Sequence, residues 1–134
     1  MSLTVGRVHA GGMLTTLNAI PPTRIWQDVL ARVIHGEQLT LAVVELPPGG
    51  LVPEHRHVNE QLGLCLQGTV TFRVGEETRE LGPGGSWRVL ANVPHEAQAG
   101  PSGAVVVEVF APVRDDWAGL EQAEPGPPRW PSTE

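Results

Sequence analysis

The chain has little of what disulfide-stabilised, membrane-spanning or nucleic-acid-binding proteins need. Cys65 is the single cysteine among 134 residues, so no intrachain disulfide can form, which favours a reducing compartment such as the cytoplasm. No apolar run is long enough to cross a bilayer, so we expect no membrane partner. The net charge is −6 and no basic stripe is present, so we expect no nucleic-acid partner.

The N-terminal segment also lacks the pattern of a secretion signal. Residues 1–10 contain no continuous apolar stretch and include Arg7 and His9, so we expect no signal peptide. Turn-forming residues, in contrast, are abundant, with 16 glycines and 13 prolines between short apolar runs. About nine short strands at regular spacing predict an all-β sandwich or barrel.

Several element boundaries follow from local composition. Residues 24–34 are expected to form one strand because Ile, Trp and Val dominate there. Gly68 is expected to break the strand that begins at Gln61, and residues 97–103 are expected to contain a turn. Residues 1–112 are predicted to form one barrel domain with N-terminal edge strands. Residues 113–134, rich in Pro, Gly and acids, are predicted to form a tail that packs on the barrel or on a partner.

A histidine pair and two further polar residues form the most informative pattern. His55 and His57 are two residues apart, so they face the same side of an extended strand, and Gln61 follows four residues later. His95 comes after a turn-rich segment. These four side chains predict a site for one divalent metal ion, and Zn, Ni, Fe or Mn would all accept three imidazoles and an amide oxygen. Glu60, the nearest carboxylate, falls on the opposite face by alternation.

These residues resemble the two motifs of the cupin superfamily. Gly49, His55, His57 and Gly68 match the first motif, with Gln61 where Glu is usual. The second motif resembles the segment from Pro83 to His95, although the usual Asn after its histidine is missing. The resemblance implies a double-stranded β-helix, or jelly-roll barrel, with the metal inside and a homodimeric assembly.

A narrower resemblance is to the pectin-degradation cupins, which belong to carbohydrate metabolism and open the ring of unsaturated galacturonate. Their pattern near the C-terminal strand is similar to Glu108, Phe110 and Arg114, although the acid there is usually Asp. The resemblance implies a catalytic acid at Glu108, a substrate-binding Phe110, and an Arg114 that handles the substrate.

The residues themselves also draw attention to Glu108. It interrupts the apolar run 104–110, where a carboxylate is costly to bury unless it is paired or used. Arg114 could clamp a substrate carboxylate, or it could form a structural ion pair with Glu108. Both interpretations stay open at this stage.

Two side-chain alternations carry further expectations. Either Trp87 or Arg88 must face inward, and Trp87, like Trp26, could line the pocket and contact substrate. Leu62, Leu64 and Leu66 share the outer face of their strand. That face must be covered by the N-terminal segment or by a second subunit, and a homodimer is the favoured interpretation.

Three functions compete. The leading hypothesis is a metal-dependent enzyme, of lyase or isomerase type, that acts on a small anionic sugar or keto acid. The second is a metal-dependent dioxygenase, which would need a redox metal with open positions for oxygen. The third is a non-catalytic cupin that binds a small ligand.

Overall fold

The described part of the protein is mostly antiparallel β-sheet with almost no helix. The computed structural model describes residues 12–131, so the predicted edge strands within residues 1–11 lie outside the described part. Two 3-10 helices, Leu17–Ala19 and Asp115–Trp117, flank the strands. The eight strands are β1 (Thr23–Trp26), β2 (Val29–His35), β3 (Thr40–Leu46), β4 (Leu51–His55), β5 (Glu60–Val74), β6 (Glu77–Leu81), β7 (Ser86–Val89) and β8 (His95–Ala111).

Two long strands, β5 and β8, join two sheets into a closed shell. They pair antiparallel along nearly their whole length, from Glu60 opposite Ala111 to Val74 opposite His95. One half of this pair continues through β3, β2 and β1 on one side and β7 on the other, while the second half pairs with β4 and β6. This arrangement confirms the predicted all-β jelly-roll barrel.

The prediction that Gly68 ends a strand is wrong. β5 runs through Gly68, and β8 likewise runs through residues 97–103, so each of these segments is one longer strand. Gly68 has a positive φ of 78°, and a Cβ there would lie 2.1 Å from the Gly103 carbonyl oxygen. The register shifts on either side of it, at Cys65/Gln67 and Gly68/Val70, are bulges that bend β5 from one sheet into the other.

The single strand expected over residues 24–34 is also wrong. The structure divides it into β1 and β2, an antiparallel hairpin in which Trp26 pairs with Val29 across a turn at Gln27 and Asp28. Composition did not reveal this turn because apolar residues continue on both sides of it. The hairpin matters for the site because it brings Trp26 to the ring of His55, with centroids 5.1 Å apart.

The inward faces of the two sheets form the core. β-branched and small side chains dominate, as expected where two pleated surfaces meet at close distance. The buried cluster comprises Val29, Ala31, Ala42, Val44, Leu46, Cys65, Val70, Phe72, Trp87, Val89, Ala97, Ala99, Ala104, Val106, Phe110 and Trp117. No helix in residues 12–131 is long and apolar enough to cross a membrane.

The described part of the C-terminal segment lies against the barrel. Gln122 forms a bridge with Thr23, and the Arg129 guanidinium donates to the Leu46 carbonyl at 3.0 Å. The backbone N–H of Arg129 donates to Glu45, which also pairs with the buried Arg32 at 2.9 Å. The division of the chain into a 1–112 domain and a 113–134 tail stays a prediction.

Candidate functional site

Three imidazoles meet inside the barrel. His55 ends β4 and His95 begins β8, and the two residues pair directly across these strands. His57 lies in the loop that leads from β4 to β5. One ring nitrogen from each of the three lies within 4.8 Å of the others, so the structure brings together the histidines that the sequence singled out.

The backbone fixes how each ring is protonated. In each case Nδ1 lies 2.8 Å from a backbone carbonyl oxygen two residues away in the chain, from Pro53 for His55, Asn59 for His57 and Val93 for His95. A carbonyl only accepts, so Nδ1 carries the proton and Nε2 keeps its lone pair. Metal-binding histidines are commonly oriented by such a bond from the other ring nitrogen. Nε2 of His95 is buried and has no hydrogen-bond partner among residues 12–131, which fits a metal ligand.

Burial keeps these rings neutral. Loss of hydration lowers the pKa of His55 and of His57, and it lowers the pKa of His95 to about 4, although the Val93 carbonyl opposes the effect. All three rings are therefore uncharged near neutral pH. Neutral imidazole is the form that binds a metal ion, so the cluster needs no deprotonation before it does so.

Gln61 completes a set of four donors. Its Nε2 donates to Glu108, which points Oε1 toward Nε2 of His57 at 3.1 Å. Because His57 carries its proton on Nδ1, two lone pairs face each other across this gap. A shared cation would turn that repulsion into two favourable contacts. The residues His55, His57, Gln61 and His95 therefore fit a divalent metal, whereas Glu60 is exposed, as alternation predicts.

Glu108 is buried next to this set. It lies on β8, and its Oε2 accepts hydrogen bonds from Gln61 Nε2 and from Trp87 Nε1, the latter at 2.9 Å. Desolvation raises the pKa of the Glu108 carboxyl, and the two donors only partly oppose this. A buried acid with a raised pKa can carry a proton at neutral pH.

Trp87 is the residue of the Trp87–Arg88 pair that faces inward. Its ring stacks on Phe72 with centroids 4.5 Å apart and an angle of 21° between planes. The opposite residue on β5 is Gly63, where a Cβ would lie 2.3 Å from the indole Nε1. A glycine at this position is thus a condition for the bond between Trp87 and Glu108.

Arg114 does not form the ion pair with Glu108 that the sequence left open. Its guanidinium is almost fully buried and lies over the rings of Phe110, at 4.8 Å, and Trp117, at 4.2 Å. Its ionic partner is Asp116, which accepts from both Nε and Nη2. Phe110 also contacts His57 edge to face, with ring centroids 5.9 Å apart, so it links the guanidinium to the imidazoles.

One cavity connects most of these groups, although its lining does not include His57 or Asp116. It has a volume of about 70 Å³, and its polar lining comprises His55, Gln61, His95, Glu96, Glu108 and Arg114. Sequence reasoning did not assign a role to Asp116 or Trp117, which the structure places on and beside Arg114. The signal available was the Asp-Asp-Trp run that follows Arg114, an isolated ordered patch in a Pro-rich segment.

Comparison with protein families matches a cupin domain over residues 42–110, just over half of the chain. The chain belongs to the cupin family. The match spans β3 to β8, including all three histidines and Gln61. A search of curated proteins found no match to this chain.

Solved cupin structures share the fold. An RmlC-like cupin from Shewanella frigidimarina is 20% identical, with a TM-score of 0.73 over 78% of this chain and 94% of that one. KdgF from Halomonas sp. is 23% identical, with a TM-score of 0.72 over 78% of this chain and 97% of that one. TT1209 from Thermus thermophilus is 29% identical, with a TM-score of 0.56 over 70% of this chain and 81% of that one.

Proposed function

We propose that this cupin is a metal-dependent enzyme that acts on a small anionic sugar or keto acid, with ring opening of an unsaturated uronate as the reaction class. The observation that carries the proposal is the shared cavity. Two of the three clustered imidazoles, a buried acid and an arginine line the same space, and a ring nitrogen of the third imidazole, His57, lies within 4.8 Å of theirs. The sequence resemblance to the pectin-degradation cupins supports the choice of substrate.

His55, His57, His95 and the Gln61 carbonyl oxygen would hold the metal. None of these donors is charged, so a bound divalent ion would keep its full charge and supply Lewis acidity to an oxygen of the ligand. Because backbone carbonyls already orient the three rings, little reorganisation accompanies binding.

Glu108 would hold or move the proton. Both described hydrogen bonds to its carboxyl end at Oε2, which leaves Oε1 as the atom that exchanges a proton with a ligand. Desolvation raises the pKa of the Glu108 carboxyl, which favours its protonated form and suits a group that gives a proton to the ligand. Gln61 links this group to the metal ligands, so the acid and the metal would act on neighbouring atoms of one substrate.

Arg114 and Phe110 would position the substrate. A guanidinium recognises a carboxylate through two parallel hydrogen bonds, and the rings of Phe110 and Trp117 help to hold that plane in place. Trp26 lines the same cavity as Arg114 and would contact another part of the ligand.

The test is turnover of unsaturated galacturonate by the purified full-length protein loaded with Zn, Ni, Fe or Mn in turn. We expect the linear keto acid as product and loss of activity in His55→Ala and in Glu108→Gln. His35→Ala, which changes an exposed histidine outside the site, is the control. Activity that survives His55→Ala or Glu108→Gln would contradict the mechanism.

We also propose that the protein is a homodimer. Paired residues across β2, β3, β8 and β5 put Ile34, Leu41, Val109 and Leu62 in one outward row, and Leu64 lies in the next row. Among the described residues Ile34, Leu62 and Leu64 remain 47%, 50% and 39% exposed. A sheet face this apolar is typical of an interface between subunits.

Sedimentation equilibrium tests the dimer. Leu62→Ser combined with Leu64→Ser should shift the protein toward monomer. Leu120→Ser, an exposed leucine in the C-terminal segment, is the matched control and should not. A wild-type protein that sediments as a monomer would remove the proposal.

A further inference from the structure

Two aromatic contacts help to hold Arg114 in the cavity wall, and they leave its N–H groups free to donate elsewhere. The rings of Phe110 and Trp117 lie under its guanidinium, and the residue is 7% exposed. Aromatic faces attract the cation and keep the guanidinium plane in place. The N–H groups at the edge of that plane remain the part of Arg114 that can recognise an anion.

Asp116 occupies that edge. Nε donates to Oδ1 and Nη2 donates to Oδ2, both at 3.1 Å, which is the two-pronged geometry that any carboxylate ligand would use. The Asp116 side chain is 61% exposed, so its carboxylate is already largely hydrated. Asp116 follows Arg114 by only two residues in the chain. It lies in a 3-10 helix of three residues whose N-cap residue makes no side-chain capping hydrogen bond.

We propose that Asp116 competes with the carboxylate of a ligand for the guanidinium of Arg114. When the ligand binds, its carboxylate replaces that of Asp116, and the Asp116 side chain turns out to solvent. The inference rests on the proposed function for the identity of the ligand as a sugar or keto acid. The exchange leaves the buried guanidinium paired with a carboxylate, and Asp116 is already largely hydrated, so an anion that gains other contacts in the cavity can displace it. Neutral ligands gain nothing from displacing Asp116. The residue therefore weakens the binding of carboxylates and leaves the binding of neutral ligands unchanged.

Asp115 provides a matched control. It precedes Asp116 in the same 3-10 helix and has the same charge and a similarly exposed position, but no described hydrogen bond joins it to Arg114. Asp115→Asn therefore changes the net charge as Asp116→Asn does, without opening the guanidinium edge.

The experiment measures binding of acetate, galacturonate and neutral galactose to the full-length chain, by calorimetry and by Trp fluorescence. Titrations are made with saturating zinc and again after chelation, so that direct binding to the metal is separated from binding to Arg114. Asp116→Asn should tighten both carboxylates about 3- to 10-fold and leave galactose unchanged. Asp115→Asn should change all three by less than about 2-fold.

A double-mutant cycle supplies the second measurement. In an Arg114→Gln background, Asp116→Asn should no longer tighten either carboxylate, because the shared partner is gone. The inference is overturned if Asp116→Asn weakens the carboxylates, leaves them unchanged, or acts no differently from Asp115→Asn. It is also overturned if neither wild type nor Asp116→Asn binds any carboxylate.

The two proposals can fail separately. Tighter carboxylate binding in Asp116→Asn without turnover of unsaturated galacturonate would support competition by Asp116 and contradict the proposed reaction. Turnover of unsaturated galacturonate with unchanged carboxylate binding in Asp116→Asn would support the proposed reaction and contradict competition by Asp116.

Discussion

The imidazole cluster of His55, His57 and His95 and the acid wall formed by Glu108 and its partners are held in different ways. Each imidazole is oriented by a carbonyl two residues away, so His55, His57 and His95 are positioned by their own local backbone. Glu108 is held by side chains 47 and 21 residues away in the chain. The orientation of each imidazole is encoded by a short motif, whereas the position of Glu108 depends on the register between strands.

This difference has a chemical counterpart. The imidazoles are neutral, and each ring is oriented by a carbonyl of its own short segment, while the pairing of β4 with β8 brings His55 to His95. Glu108 carries a raised pKa because the whole barrel excludes water from it. The metal ligands should therefore tolerate changes in distant strands, while the acid should respond to them.

The largest effect should come from the imidazole cluster itself. Loss of His55 or His95, in His55→Ala or His95→Ala, removes one of four uncharged donors, and zinc affinity should fall by more than about 100-fold. Calorimetry with zinc and elemental analysis of the purified protein measure this. His35→Ala is again the control, and circular dichroism verifies the fold, since His95 is buried. Zinc bound equally well by His55→Ala would show that these rings are not ligands.

The sequence predicts features that depend on residues close in the chain better than features that depend on strand pairing. The jelly-roll topology was implied by the resemblance to the cupin motifs. The all-β class, the shared face of His55 and His57 and the inward position of Gln61 followed from local spacing and alternation, because each depends on residues close in the chain. The continuity of β5 through Gly68 did not, since the glycine signals a turn by itself. Its actual role is to let the Gly103 carbonyl approach closely, which only the pairing of β5 with β8 reveals.

The ionic partner of Arg114 shows the same limit. The sequence offered Glu108 as a candidate, whereas the structure pairs Arg114 with Asp116, two residues away. Period-two alternation gives no information once the chain has left β8 and entered a 3-10 helix. The direction of the Arg114 side chain depends on the rings of Phe110 and Trp117, which come together only in the folded barrel.

An intermediate effect should separate the two regions directly. Gly63→Ala places a methyl group where the indole of Trp87 lies, and that ring cannot retreat because it stacks on Phe72. Overpacking of this kind costs about 1–3 kcal/mol in the free energy of unfolding. We expect that loss in urea denaturation, together with a change in Trp fluorescence, while zinc affinity remains close to that of the wild type.

The control is Gly82→Ala, where a Cβ meets nothing within 4 Å. It should leave both stability and fluorescence close to the wild-type values. If Gly63→Ala instead abolished zinc binding, the imidazole cluster would depend on the acid wall after all, and the contrast between local and long-range support would be lost.

The smallest effect concerns the pH dependence of stability in the chelator-treated protein. Glu108→Gln keeps a carbonyl oxygen that accepts from Trp87 and Gln61 but cannot ionise. The pKa of the wild-type Glu108 carboxyl is raised in the folded state, so folding favours the protonated form. That contribution is complete below the unfolded pKa of about 4.3 and is lost as pH rises through the folded pKa. Glu108→Gln should therefore gain stability relative to wild type as pH increases, and the gain should level off once the folded carboxyl ionises.

Urea denaturation across this pH range measures the difference between the two proteins. The control is Glu80→Gln, which changes an exposed acid on β6 and should give a curve parallel to that of the wild type. A constant difference between Glu108→Gln and wild type at every pH would mean that the barrel does not shield this carboxyl, and the acid wall would then be no more dependent on long-range packing than the imidazoles.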